Sequence, residues 1–483
     1  MQPAVSTLDK AVETRILRFG FFDVPFRYLL AGHLVRIAAV SAMHKKVKTQ
    51  CGLGWTFTDK QFTPWGGFRV FEELLRRVGW EEALVAAPLP QPGSNRGIDP
   101  VLMVKGFLVT VWTGGGRFAH TALVRFDAAL RSIFALSNMG SVSTFSRFFR
   151  RFGQKQVEEV FKHLSLWFWE RVRSGSWTVD LDSSVLTRYG QQEGTQRGYN
   201  PCHRGKKSHH PLMAFAAECR MVISAWLRPG NTTASSNVEN FFREVLAVFG
   251  QRHRIGLLRC DSGFCIGGFL DLLESKGIDY IVVARVLATI RRRLVGLSEW
   301  FQIDGRIAVA EFIYQAQGWS KARRVVVVRQ RIQDRRDGAI LLEVPGYTYS
   351  VYVTNLTLPP IAVRALYQGR ADSENRIKEL LQDFAISGFV SEKFWATEAA
   401  FRMACCAYNL MSLFRQTLLG VASKHTLSTL RAQCFAIGAS LGKAGHKQVL
   451  RIGLPRPRRD WFRGLFSAAV QITDPCPLRP IGC

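Results

Sequence analysis

Hydrophobic residues recur every three or four positions along the first third of the chain. The clearest helix carries its apolar residues on one face, at Val157, Val160, Phe161, Leu164 and Phe168. This spacing is typical of an amphipathic helix with one buried stripe. The pattern therefore predicts a mainly helical N-terminal region over residues 1–173.

At Trp177 the pattern changes to strict alternation, with Trp177, Val179 and Leu181 on one side and Thr178, Asp180 and Asp182 on the other. Alternation with a period of two is typical of a β-strand. Further strands are predicted over Leu212–Ala217, Met221–Leu227, Ile255–Cys260 and Asp279–Val283, and helices over Val238–Phe249 and Ile266–Lys276. The order hairpin, helix, strand, helix, strand predicts a mixed α/β sheet over residues 174–290.

Beyond residue 290 the pattern changes twice more. A β-rich insertion is predicted over residues 291–356, with strands at Ile307–Tyr314, Arg324–Val328, Ile340–Val344 and Ser350–Leu356. Helix returns over residues 357–425, with segments at Ile361–Gln368, Ser373–Phe384 and Phe394–Leu418. Residues 426–483 are basic and interrupted by proline, which predicts a C-terminal tail.

The charge of the chain points to its partner. Sixty-five Lys and Arg against 37 Asp and Glu leave a formal charge of +28, a surplus that favours a polyanion as partner. Charged residues interrupt every apolar stretch before the roughly 20 residues that a membrane-spanning helix needs, and no secretory signal is visible. The ten cysteines are scattered without a CxxC pair. These features predict a cytoplasmic, nucleic-acid-binding protein without a membrane segment.

Three carboxylates stand at positions where chemistry is plausible. Asp182 and Asp261 each end a predicted strand, and Glu374 lies in the first turn of a predicted helix. Carboxylate oxygens are the ligands that Mg²⁺ prefers, and two such ions can promote an in-line phosphoryl displacement. The structural alternative explains the same residues as a strand-end cap, a turn residue and an acid that complements a helix dipole.

The order of motifs resembles that of the bacterial insertion-sequence DDE transposases whose third acid lies in a Tyr-x2-Arg-x3-Glu-x6-Lys signature. The matching segments are Asp180–Val185, Gly198–Pro201, His210–Leu212, Leu258–Phe264 and Tyr367–Glu379. The similarity spans Trp177 to Leu410, with an insertion at the same place. The combination and order of these segments make the resemblance specific.

The resemblance implies a ribonuclease H-like mixed sheet with a β-rich insertion, preceded by a mainly helical N-terminal domain that binds DNA. It implies that Asp182, Asp261 and Glu374 are the catalytic residues and hold two Mg²⁺ ions, for which Mn²⁺ could substitute. Asp182 is preferred to its neighbour Asp180 because the catalytic aspartate of the family directly precedes a pair of small hydroxyl residues, here Ser183 and Ser184.

The resemblance also implies DNA contacts near Glu374. Tyr367 and Arg370 match the residues that grip the phosphate beside the cleaved position. The signature lysine would fall at position 381, where this chain has Leu381. Lys378, one turn earlier, could supply the missing charge, or the phosphate contact is lost. Trp319, in the insertion, is a candidate for holding a flipped base, and a core or surface role is the alternative.

The implied function is that of a DNA transposase that binds terminal inverted repeats, cleaves them and joins the 3′ ends to target DNA by cut and paste. A homodimer on paired ends and a bacterial, nucleoid-associated location follow from the resemblance. The basic N-terminal region and tail are expected to recognise DNA ends. The basic run Arg204–Lys207 is a loop near the DNA path or a solvated loop. The alternatives are an inactive, transposon-derived DNA-binding protein and a related metal-dependent nuclease.

Overall fold

The computed structural model describes residues 53–201, 203–331, 347–420, 423 and 425–472. The chain divides into two compact units, Met1–Asp59 and Lys60–Cys483. In the described part of the first unit, the rings of Trp55 and Phe57 form a T-shaped contact, with their centroids 5.4 Å apart. All elements named below belong to the second unit. The helical prediction for residues 1–52 and the strand predicted over Ile340–Val344 lie outside the described residues.

The first part of the second unit is helical, as the apolar spacing predicts. A short strand precedes seven helices: β1 (Phe62–Thr63), α1 (Phe68–Arg77), α2 (Trp80–Ala86), α3 (Pro100–Trp112), α4 (Thr121–Phe126), α5 (Ala128–Ile133), α6 (Val142–Phe149) and α7 (Gln154–Glu170). Helix α3 shows why these boundaries form: the carboxylate of Asp99 accepts a hydrogen bond from the backbone N–H of Val101 at 2.7 Å. Pro100 occupies the first turn, where its missing N–H is not needed.

Nine strands form the main sheet, and three short ones form a side sheet. In chain order they are β2 (Gly175–Ser183), β3 (Leu186–Thr187), β4 (Gln196–Arg197), β5 (Lys207–His209), β6 (Leu212–Ala216), β7 (Met221–Trp226), β8 (His253–Cys260), β9 (Asp279–Val283), β10 (Phe301–Gln302), β11 (Ile307–Tyr314), β12 (Arg323–Arg331) and β13 (Tyr347–Thr354). Helices α8 (Val238–Phe249), α9 (Gly267–Ser275) and α10 (Ala288–Val295) separate them. The side sheet has the order β3-β5-β4 and connects β2 to β6.

Five strands of the main sheet, in the order β7-β6-β2-β8-β9, form its first part, which we call the central strands. Strands β2, β6 and β7 are antiparallel neighbours, whereas β8 runs parallel to both β2 and β9. Helix α8 leads to β8 and helix α9 leads to β9. Three antiparallel strands followed by two parallel ones with helical crossovers constitute a ribonuclease H-like sheet, so the predicted fold class is confirmed.

The β-rich insertion extends this same sheet. Strand β13 pairs antiparallel with β9, and β12, β11 and β10 follow outward in that order. The predicted strand Ile307–Tyr314 is confirmed to the residue. The valines of β12 are buried on both faces, which fits its run of four consecutive valines. The insertion therefore adds strands to the outer edge next to β9 and leaves β7 at the opposite edge.

The helices after the insertion return to the central strands. They are α11 (Pro360–Gln368), α12 (Ala371–Gln382) and α13 (Phe394–Phe414), the last continued by a π-helical turn over Arg415–Leu419. Side chains of α13 bind the outer edge of β7: the Asn409 amide donates to the carbonyl of Val222 and accepts from its N–H, both at 2.8 Å. Glu398 accepts from the N–H of Leu227 at 2.6 Å. Helix α13 thus takes the place of a further strand.

Residues 426–472 are not a tail in the structure. They form α14 (Leu427–Leu430), a π-helical turn (Arg431–Phe435), the hairpin β14 (Ala439–Ala444) with β15 (Lys447–Ile452), and α15 (Arg456–Val470). Strand β14 pairs with β1 near the other end of the unit, and the rings of Phe435 and Phe68 stack at 4.3 Å. The pairing of β14 with β1 joins residues more than 370 positions apart in the chain, so the local pattern of apolar residues does not reveal it.

One hydrophobic core connects the helical region with the sheet. Its members include Phe71 and Trp112 from the helices, Val179 from β2 and Phe414 from α13. The indole N–H of Trp112 in α3 donates to the carbonyl of Ala407 in α13 at 3.1 Å. The helical region therefore packs directly against the elements that follow the insertion. In the described part of the chain, no helix combines the length and the apolar character that a bilayer crossing requires.

Candidate active site

Asp182 and Asp261 leave the sheet side by side. Strands β2 and β8 run parallel with Leu181 opposite Cys260, so the next residue of each strand emerges at the same edge. Neighbouring strands lie about 5 Å apart. Asp182 accepts a hydrogen bond from the N–H of Ser183 at 2.8 Å, and Asp261 accepts from the N–H of Gly263 at 2.9 Å. Both carboxylates therefore lie at the same edge of the sheet.

Glu374 reaches this edge from the first turn of α12. Asp372, in the same turn, fixes this helix: its carboxylate accepts hydrogen bonds from Arg220 at 2.6 and 3.1 Å and from Arg376 at 2.7 Å. Arg376 is buried and also donates to the carbonyls of Ala216 and Ala217 at the end of β6. Asp372 therefore holds α12 against the sheet, while the Glu374 side chain stays 72% exposed.

The three carboxylates line one cavity of about 460 Å³. Its walls are formed by Asp182, Ser183, Asp261, Ser262, Val283, Tyr367, Arg370, Glu374 and Ile377. We call this site the carboxylate cleft. The two serines directly follow the two aspartates, and sequence reasoning did not assign them to the lining. Val283 and Ile377 form an apolar wall that no chemical motif signals, since it depends on how β9 and α12 pack.

Arg370 supplies the positive charge of the carboxylate cleft. It lies 2.8 Å from Asp182 and 3.8 Å from Glu374, and only 6% of it is exposed. Burial raises the pKa of the Asp182 carboxyl to about 6; Arg370 opposes this rise, and the charges of Asp261 and Glu374 add to it. Burial alone would lower the pKa of Arg370, but its carboxylate neighbour Asp182 raises it above the ordinary value.

Asp180, the other aspartate on this face of β2, is bound elsewhere. Its two oxygens accept from the guanidinium of Arg259 at 2.7 and 2.9 Å, and the residue is completely buried. A bidentate pair of this kind leaves little capacity for a metal ion. Asp180 and Asp182 thus occupy different environments, and only Asp182 lines the cleft. We call Asp180, Arg259, Arg220, Asp372 and Arg376 the anchor cluster.

Arg259 also fixes the junction between α11 and α12. It donates to the carbonyl of Leu366 at 2.6 Å, which satisfies an end carbonyl of α11. A β-carbon at Gly369 would press against this guanidinium, so the glycine makes room for the contact. The break that the sequence predicts at Gly369 is present, since α11 ends at Gln368 and α12 begins at Ala371. Arg370 stands in this junction.

The remaining predicted DNA-contacting residues occupy three different places. Tyr367 lines the cleft beside Tyr352, with ring centroids 5.0 Å apart, and burial raises its pKa above the ordinary value. Lys378 is exposed one turn beyond Glu374 and does not line the cleft, while Leu381 packs against the core. Trp319 lies in the loop between β11 and β12, beneath the guanidinium of Arg323 at 5.3 Å, and is also outside the cleft lining.

The donor set of the cleft suits a hard divalent cation. Three carboxylates line it, and carboxylate oxygens are the ligands that Mg²⁺ prefers. Among the described residues, no three acidic, histidine or cysteine side chains already have the spacing of a metal site. Arg370 forms ion pairs with two of these carboxylates, at 2.8 Å from Asp182 and 3.8 Å from Glu374. The three carboxylates fit Mg²⁺ by the chemistry of their donor atoms.

Comparison with known proteins places the chain in a family. No curated protein matches it. Among solved structures, it aligns with the piggyBac transposase in a synaptic complex with hairpin DNA, with 13% identity over 88% of this chain and 91% of that chain and a TM-score of 0.42. Residues 46–473 match the family model described as Transposase DDE domain group 1. Because that match covers most of its length, the chain belongs to this family of DDE transposases.

Proposed function

We propose that this protein is a cut-and-paste transposase of the bacterial insertion-sequence group with the Tyr-Arg-Glu-Lys signature. In this proposal it binds the terminal inverted repeats of its element, cleaves them and joins the 3′ ends to target DNA. One observation carries the proposal: Asp182, Asp261 and Glu374, from two strands and a helix far apart in the chain, line a single cavity. The family match supports the same chemistry.

The carboxylates of Asp182, Asp261 and Glu374 would hold two Mg²⁺ ions, or Mn²⁺ in their place. Bound there, the ions would activate the attacking oxygen and stabilise the leaving oxygen of a phosphoryl displacement. Arg370 opposes the rise that burial causes in the pKa of Asp182 and lines the same cavity, so its guanidinium can bind a DNA phosphate. The Tyr367 hydroxyl, which lines the cavity too, can donate to a phosphate oxygen.

DNA is the proposed partner, in agreement with the net charge of +28. Residues 1–173 are proposed to bind the DNA ends, and 174–290 together with 357–425 to form the catalytic core around the insertion 291–356. The basic segment 426–483 would add affinity through exposed cations such as Lys447 and Arg451. Two ends must be held together for cut-and-paste transposition, so we propose a homodimer, acting at the bacterial nucleoid.

The test is cleavage of a supercoiled plasmid that carries the inverted repeats flanking the gene. Wild type with Mg²⁺ or Mn²⁺ should nick the plasmid at the repeats and join the ends, whereas Asp182→Ala and Glu374→Ala should bind it without cutting. Asp279→Ala is a matched control, because Asp279 is exposed at the start of β9, at the edge of the sheet opposite the cleft. It should retain activity.

A second candidate is an inactive, transposon-derived DNA-binding protein, favoured by Leu381 at the position of the signature lysine. Binding to the repeats by wild type with no nicking under any divalent cation would establish that candidate. Cutting that ignores the repeat sequence would instead indicate a metal-dependent nuclease. The role of Trp319 in holding a flipped base stays a prediction, which Trp319→Ala tests by its effect on end processing.

A further inference from the structure

The side sheet β3-β5-β4 rises directly from the rim of the carboxylate cleft. Strand β2 ends at Ser183, which lines the cleft, and β3 begins three residues later at Leu186. The N–H of Ser184 donates to the carbonyl of Pro211 at 3.1 Å, so the segment 184–211 leaves and re-enters the main sheet at one point. Whatever this segment binds therefore lies beside the cleft.

Two aromatic rings project from the side sheet into solvent. Tyr189 is 77% exposed and Tyr199 is 74% exposed, although burial of such rings is normally favourable. The imidazole of His203, which is also exposed, lies near the first of them, with its ring 6.4 Å from that of Tyr189. A group of outward-facing rings of this kind offers flat apolar surfaces to a ligand.

The same segment is strongly basic. Its exposed cations are Arg197, Arg204, Lys206 and Lys207. The segment 184–211 contains one acid, Glu193, and Lys393 pairs with it at 2.8 Å. The cations of the side sheet are thus left with a net positive field, which suits a chain of phosphates.

Buried polar contacts hold this surface rigid. Arg188, which is buried, donates to Nδ1 of His209 at 3.1 Å and to the carbonyl of Ser387. Asn200 donates to the hydroxyl of Thr187 at 3.0 Å and accepts from the N–H of His203 at 2.9 Å. These bonds hold the residues next to Tyr189 and Tyr199 in the chain, Arg188 and Asn200.

The backbone around the side sheet is also closely packed. A β-carbon at Gly198 would collide with the carbonyl oxygen of Gly230, and one at Gly230 would collide with that of Ser208. The side sheet therefore docks directly on the segment that follows β7. Because the backbone that carries the rings and cations is already ordered, binding of a ligand costs little conformational entropy of the protein.

We propose that Tyr189 and Tyr199 stack on the bases of an unpaired DNA strand beside the carboxylate cleft, while the surrounding Arg and Lys side chains neutralise its phosphates. Exposed rings interleaved with cations are the surface that single-stranded nucleic acid requires, because unpaired bases expose their faces whereas duplex bases do not. This inference rests on the proposed function, since it takes DNA to be the partner, and it adds a site for separated strands.

The test compares two DNA ligands on the full chain by fluorescence anisotropy. One is a blunt duplex, and the other is the same duplex with an unpaired extension of about eight nucleotides. The variants are Tyr189→Ala and Tyr199→Ala, with Tyr→Phe at each position to keep the ring. Phe301→Ala is the matched control, because Phe301 is an equally exposed ring, 72% accessible, on β10 of the insertion.

Each Tyr→Ala change should weaken binding of the extended duplex about tenfold and leave the blunt duplex unchanged. Tyr→Phe and Phe301→Ala should bind both ligands like wild type, and a 2-aminopurine in the extension should be quenched by wild type but not by Tyr→Ala. Equal losses on both ligands, or no loss on either, would overturn the proposal.

The two proposals fail in different ways. Asp182→Ala should keep the preference for the extended duplex and the quenching while losing cleavage. If wild type cuts the plasmid but the tyrosine variants bind normally, the stacking surface is wrong and the transposase function stands. If the tyrosine effect is present but no divalent cation supports cutting, the stacking surface stands and the catalytic function is wrong.

Discussion

The carboxylate cleft and the anchor cluster share β2 and α12 but have opposite charge balances. The cleft combines three carboxylates with one guanidinium, Arg370. The anchor cluster combines two carboxylates, Asp180 and Asp372, with three guanidiniums. In the anchor cluster cations are in excess, and both carboxylates are bound by guanidiniums. In the carboxylate cleft three carboxylates share the single guanidinium of Arg370, and the Glu374 side chain stays 72% exposed.

Asp180 and Asp182 express this difference within one strand. They stand two residues apart on the same face of β2, which makes them matched positions for mutation. Asp180 is completely buried in its pair with Arg259, whereas Asp182 opens into the cleft. The four predictions below test how far the two regions are independent.

The largest effect is expected at Asp182. Asp182→Ala should lower the rate of plasmid cleavage by about 10³-fold or more, because removing one member of a catalytic group removes most of its effect. The fold should be retained, as measured by circular dichroism and by DNA binding. A variant that cleaves within tenfold of wild type would show that the cleft is not the catalytic site.

The reverse result is expected at Asp180. Asp180→Ala should lower the free energy of unfolding by about 3 to 5 kcal/mol, because it leaves the guanidinium of Arg259 buried without its carboxylate. Denaturant unfolding measures the change. The double variant Asp180→Ala with Arg259→Met should recover part of the loss, since it removes the uncompensated charge. If it recovers nothing, the ion pair is not the cause.

The buried Asp182 carboxyl predicts a pH dependence. It has a folded-state pKa of about 6 against an ordinary 3.8, so it is protonated in both states well below pH 3.8 and ionised in both well above pH 6. In EDTA, wild type should therefore lose about 2 kcal/mol of unfolding free energy relative to Asp182→Asn between pH 4 and pH 7. A difference that does not vary with pH would contradict the raised pKa.

The smallest effect concerns the missing signature lysine. If Lys378 replaces it, Lys378→Ala should reduce the slope of log affinity against log salt by about 1, because one phosphate contact is lost. Lys276→Ala is the control, since Lys276 is an exposed lysine at the end of α9, on the side of the sheet away from the cleft. Equal slopes for the two variants would mean that Lys378 does not contact DNA.

The elements that can be predicted from the sequence are those with a strong local period. Alternation around Trp177 predicts β2, and the glycine at position 369 predicts the break between α11 and α12. The approach of Asp182 to Asp261 follows from two predicted strands that end in aspartate. The preference for Asp182 over Asp180, however, depends on the family resemblance, because the alternating pattern places both aspartates on the same face of the strand.

The remainder depends on contacts between distant parts of the chain. The partner of Asp180 is Arg259, 79 residues later, and the same side chain caps α11 a further 107 residues on. Likewise, β14 has too few apolar residues to be recognised alone, and its pairing with the distant β1 follows only from the folded chain. Long-range pairing of this kind leaves no periodic signal, so only the folded chain reveals it.

The way α13 covers β7 has a consequence for self-association. An uncovered outer strand offers its backbone groups to a second molecule, and this is how sheets grow into fibrils and exchanged dimers. Here Asn409 and Glu398 occupy the groups of Val222 and Leu227 that such a strand would use. This edge of the sheet is therefore closed to strand addition by a second copy of the chain.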